Sequence, residues 1–167
     1  MKATVHSGFT IVELLIGIIA AAILALTMGV MLANTYQGWL RSQALADLER
    51  DAAVAIHTLD LAVRGAASTV PGEVGVDKLK VVLPSGGIVR EFSVATTSGR
   101  RSLVYNPDSP GGAGMVIVDR RLGSFVTSVT SGVVRVTMTL VGIDKNDRDT
   151  GVSMGVTNLC IRMRNWP

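Results

Sequence analysis

Cysteine is nearly absent. Cys160 is the only one in 167 residues, which excludes an intramolecular disulfide and any CxxC metal framework. Histidine is almost as scarce, and His6 and His57 leave little from which to build a His-based active site. Aromatic residues make up only 4% of the chain, so its apolar weight rests on Val, Leu, Ile and Ala. Charged residues are also few, at 17% against 48% hydrophobic, and the mean hydropathy is +0.42. That is too apolar for a disordered chain and high for an ordinary soluble domain. A pI near 9.4 with a net charge of only +3 signals no polyanionic partner. The length has room for one domain with an appendage. These scarcities argue against most enzymes.

What the chain does have is unevenly spread. Residues 14–33 read LLIGIIAAAILALTMGVMLA, twenty positions without a charge and with one hydroxyl, Thr27. As a helix they span about 30 Å, the thickness of a bilayer core. The buried helix of a soluble protein rarely stays apolar on all sides for so long. Tyr36 and Trp39 follow, where amphipathic aromatics favour the membrane–water interface. Lys2 is the only charge in the leader that precedes the run, and positive-inside bias keeps that end cytoplasmic. The run exceeds the apolar core of a secretory signal, and no A-x-A site follows it. One residue breaks the pattern. Glu13 lies between Val12 and Leu14, where a carboxylate either snorkels at the membrane edge or awaits a positive partner.

The residues Ser7-Gly8-Phe9-Thr10-Ile11-Val12-Glu13, followed by Leu14-Leu15, resemble the class III signal of type IV pilins and pseudopilins. The resemblance covers about the first 35 residues. It implies that prepilin peptidase cuts between Gly8 and Phe9 and N-methylates the new terminus at Phe9. It also implies that Glu13 acts in subunit assembly, by pairing with the Phe9 ammonium of a neighbouring subunit. Glycine at position 8 lets the backbone lie extended and close to a membrane-embedded protease. An unpaired Glu13 in a fibre core would be costly, so the pair would also set the axial stagger of subunits.

Beyond the membrane segment, Leu45, Leu48, Ala52, Ile56, Leu59 and Val63 recur at helical spacing. No proline occurs between Phe9 and Arg64, which predicts one helix of about 84 Å, ending at Gly65 with Pro71-Gly72 beyond. The rest reads as β. Strands are expected at 78–83, 88–95, 102–105, 115–118, 125–129, 133–141 and 152–162, with loops at 84–87, 106–114 and 142–151. The clearest signal is Val134, Val136, Met138 and Leu140 alternating with Arg135, Thr137 and Thr139. The expected fold is therefore α+β: a long N-terminal helix, half transmembrane and half amphipathic, packed on an antiparallel β-sheet domain. The divisions are a leader (1–8), a transmembrane helix (9–33), its amphipathic continuation (34–65) and a β-rich extracytoplasmic domain (66–167).

No catalytic or nucleotide-binding motif occurs, and no cofactor is expected. The loop Asp144–Asp149 offers several oxygen ligands for Ca²⁺, an ion that some pseudopilins bind. Arg148, however, occupies the third ligand slot, and no glutamate closes the loop. A solvated hairpin is the better reading. The pairs Arg100-Arg101, Arg120-Arg121 and Arg162/Arg164 suggest nucleic acid only weakly, because no aromatic platform accompanies them. His57 is read as structural. The alternation of Leu159, Cys160 and Ile161 does not decide whether Cys160 is buried.

The expected function is that of a minor pilin or pseudopilin in a type II secretion pseudopilus or a type IV pilus. Residues 45–64 and Ile161–Asn165 are similar to J-type pseudopilins and W-type minor pilins. Expected partners are prepilin peptidase, other pilins or pseudopilins, and an inner-membrane assembly platform, with no nucleic acid. The expected location is the inner membrane, crossed once with the C-terminal domain periplasmic, before extraction into the fibre. The alternative is a filament-tip binding module, for ligand or DNA capture, anchored by the same signal. An envelope hydrolase fits poorly, since no nucleophile–His–acid set is present.

Overall fold

Among the described residues, one helix and eight strands form an α+β arrangement with two antiparallel sheets. The computed structural model describes residues 10–84, 87–109, 112–144 and 147–166. Helix α1 runs from Ile11 to Arg64, unbroken by proline and free to end where Gly65 follows. By its internal contacts the chain divides into two units between Leu40 and Arg41.

In the first unit, every described residue from Thr10 to Leu40 is exposed. The apolar side chains there have no intramolecular partner to bury them. This stretch is long and apolar enough to cross a membrane.

In the second unit, α1 buries a stripe: Ala44, Leu48, Ala52, Ala55, Leu59, Ala62 and Val63. The predicted period is right, but its leading position is corrected. Leu45 is 42% exposed and Ala44 takes its place, while Ile56 is only partly buried. Four alanines in this stripe keep the helix surface shallow. Leu48, Leu59 and Val63 project from it into a core with Leu79, Val81, Phe92, Phe125 and Met138. Each such fully buried side chain contributes about 1.5–3 kcal/mol.

The sheets are consecutive meanders. Strands β1 (Ser68–Gly75), β2 (Lys78–Val82), β3 (Val89–Thr97), β4 (Arg100–Ser109) and β5 (Met115–Val118) form the first. Strands β6 (Leu122–Thr130), β7 (Val133–Ile143) and β8 (Asp149–Arg162) form the second. The alternation along β7 is as expected, with Val134, Val136, Met138 and Leu140 fully buried. Buried Thr127 ties the two sheets together. Its hydroxyl accepts the N–H of Gly75 at 3.0 Å and lies 2.9 Å from the carbonyl of Lys78.

One strand was not expected, and two expected loops are shorter than their sequence suggests. Residues 68–75, Pro71-Gly72 included, form β1; the pairing with β2 breaks between Thr69 and Val74, and Gly72 sits at φ +77°. An irregular edge strand tolerates a residue with no N–H. Residues 106–109 extend β4, with Pro107 opposite a register shift in β3. Finally, 142–143 belong to β7 and 149–151 to β8, leaving a shorter connection than expected.

Candidate functional site

Three residues are singled out for processing and assembly: Gly8, Phe9 and Glu13. Gly8 and Phe9 are outside the described residues. Glu13 is in the first turn of α1, with its side chain exposed. Thr10 caps this helix: its hydroxyl accepts the N–H of Glu13 at 3.3 Å and its carbonyl accepts that of Leu14 at 3.2 Å. Sequence reasoning missed this cap, although Thr-x-x-Glu is the spacing of a capping box and was there to be found. A carboxylate in the first turn also faces the positive end of the helix dipole, worth about 0.3–1 kcal/mol.

Along the apolar stretch the few polar groups are satisfied locally. The Thr27 hydroxyl donates to the carbonyl of Leu24 at 2.9 Å, and that of Thr35 to the carbonyl of Met31 at 2.8 Å. Back-bonding of this kind lets a hydroxyl sit in hydrocarbon without an orphaned donor. Tyr36 and Trp39, both exposed, stack with ring centroids 6.2 Å apart.

In the second unit, the paired arginines serve different ends. Arg121 holds α1 to the sheets, with Nη1 and Nη2 each 3.1 Å from the carboxylates of Asp51 and Asp47. Arg101 pairs with Asp77. Arg100 donates to the backbone carbonyl of Asp147 at 2.6 Å, and Arg120 lies 2.5 Å from the Asp147 carboxylate. Two of the three basic pairs are therefore engaged by acids of the same unit. The third, Arg162 and Arg164, has no carboxylate within ion-pair distance among the described residues.

The carboxylates of the loop considered for Ca²⁺ have protein partners. Asp147 takes two arginines, Asp144 Oδ1 accepts the N–H of Arg148 at 2.8 Å, and Asp149 Oδ1 accepts that of Gly151 at 2.7 Å. Guanidinium groups and turn N–H donors meet at least one oxygen of each of these three carboxylates. His57 and Cys160 are exposed, on α1 and β8 respectively.

Comparison with protein-family models, with curated proteins and with solved structures gives no match. The helix-and-sheet architecture is compatible with a pilin-like fold, and the first unit with membrane anchoring.

Proposed function

We propose that the chain is a minor pilin or pseudopilin, a non-enzymatic structural subunit of a type II secretion pseudopilus or a type IV pilus. In this reading it crosses the inner membrane once, with its second unit periplasmic. Prepilin peptidase then cuts between Gly8 and Phe9 and methylates Phe9. The inner-membrane assembly platform draws the mature subunit into a fibre with its sibling pilins.

One observation carries the reading. A Gly8-Phe9 junction, with Glu13 close behind it, stands directly ahead of twenty residues that lack any charge. The exposure of that whole stretch supports it, because helices of this kind must be covered by lipid or by one another. Glu13 supports it too. A carboxylate at the head of such a helix, with no salt bridge among the described residues, suits pairing with an ammonium from a second subunit.

The test separates charge pairing from capping. Glu13→Ala should insert and be cleaved normally yet be lost from complexes co-isolated with sibling subunits. Glu13→Gln keeps the helix-start geometry and removes only the charge, so it should be lost as well. If Glu13→Gln enters the complex like wild type, Glu13 serves the helix cap and the intersubunit ion pair is wrong.

A further inference from the structure

Where α1 ends, the C-terminal segment lies beside it. The N–H of Arg164 donates to the carbonyl of Arg64 at 3.3 Å, and Asn165 Nδ2 to that of Gly65 at 3.4 Å. Arg90 Nη1 donates to the carbonyl of Leu61 at 3.3 Å, and the N–H of Ala66 to that of Val63 at 3.0 Å. These donors meet the open carbonyls of the last helical turn. The guanidinium groups of Arg162 and Arg164 are thus not needed as caps. Buried Ile161 and Met163 alternate with them, so both arginines face outward.

Arg64, Arg162 and Arg164 line one open cavity of about 480 Å³, together with Ser131, Met163 and Trp166. Only Arg64 has an acidic partner among the described residues, Asp60 at 2.6 Å. The indole of Trp166 rests on Gly132, where an added Cβ would come within 2.5 Å of the ring's Cγ. Gly132 also sits at φ +75°, so glycine is required there twice over, by conformation and by the ring. Trp166 nevertheless stays 41% exposed. Trp166, two residues beyond Arg164 in the sequence, gives this basic pair an aromatic platform, and a third arginine joins it from the helix.

We propose that this cavity binds a phosphate carried beside a flat ring, the chemistry shared by a mononucleotide and a single strand of nucleic acid. This goes beyond the role of a structural subunit and does not depend on leader processing. Guanidinium forks match the geometry of phosphate oxygens. An exposed indole offers a face on which a base stacks, worth about 1–3 kcal/mol per base. The cavity lies in the size range of small-ligand sites. A duplex hides its base faces and would leave the indole idle. An acidic protein segment would use the arginines alone.

The experiment uses the full chain in detergent micelles and a fluorescein-labelled oligothymidylate of about 12 nucleotides. Its anisotropy should rise with protein, and log affinity should fall with log salt by roughly 0.7 per phosphate engaged. Trp166→Ala should weaken binding about 5- to 150-fold, with Trp166→Phe restoring most of it. Arg162→Gln, at an exposed position, should weaken binding and flatten the salt slope without disturbing the fold. Competition by adenosine monophosphate assigns a mononucleotide site, and competition by unlabelled strand alone assigns a strand site. The proposal is overturned if no binding occurs or if Trp166→Ala binds as well as wild type. It is equally overturned if an oligoglutamate of matched charge competes as well as the strand, which would mark a site for acidic protein.

Discussion

The two stretches of α1 on either side of Leu40 share a backbone conformation and a richness in apolar residues, yet they meet opposite fates. Before Leu40 every described residue is exposed; after it, Ala44, Leu48, Ala52, Ala55, Leu59, Ala62 and Val63 are buried. The difference lies in distribution around the axis. The first stretch is apolar on all sides, so no single face can satisfy it. The second confines its apolar residues to one stripe and sets Asp47, Glu49, Arg50 and Asp60 elsewhere. Hydrophobic content sets how much surface must be covered, and periodicity sets whether the protein itself can cover it.

One chemical change made in both stretches gives the largest expected contrast. Leu48→Ala removes a fully buried side chain and should cost about 2–5 kcal/mol in chemical unfolding followed by circular dichroism. Leu24→Ala, at 61% exposure, should leave that transition where it was. An equal loss at both sites would break the distinction between the two stretches.

The converse change probes the membrane. Leu24→Arg should cost about 3–4 kcal/mol of insertion and move the chain out of the alkali-resistant membrane fraction. Leu61→Arg, exposed on the second stretch, should stay in that fraction and fold normally. A smaller effect is expected from overfilling the shallow stripe. Ala55→Leu, at a site with no exposure, should cost about 1–3 kcal/mol, while Ala21→Leu should cost nothing. Smallest of all, Arg121→Gln breaks partly exposed ion pairs to Asp47 and Asp51 and should cost less than about 1 kcal/mol, fading with salt.

The stop of α1 at Gly65 and the alternation of β7 were legible because each rests on a local rule, a helix-ending glycine and a period of two. Leu45 misled because alanine and leucine both count as apolar. The phase of the stripe depends on how closely the sheets approach, and that favours Ala44. Strand β1 was hidden by Pro71-Gly72, a strong breaker signal that an interrupted edge pairing neutralises. Glu13 stood out as a charge in an apolar run, whereas its capping partner Thr10 looked like one more small residue. The basic cavity was half legible: Arg162, Met163, Arg164 and Trp166 stand together in the sequence, whereas Arg64 and Ser131 are distant and only the fold brings them there.

Processing of this chain as a pilin-type subunit leaves its mark at the N-terminus. Mass spectrometry of the chain purified from membranes of a host with an active prepilin peptidase reads that terminus. The expected chain begins at Phe9 and carries one added methyl group on its amine. A chain that retains Met1–Gly8 in such a host, or one cut anywhere other than after Gly8, would contradict it.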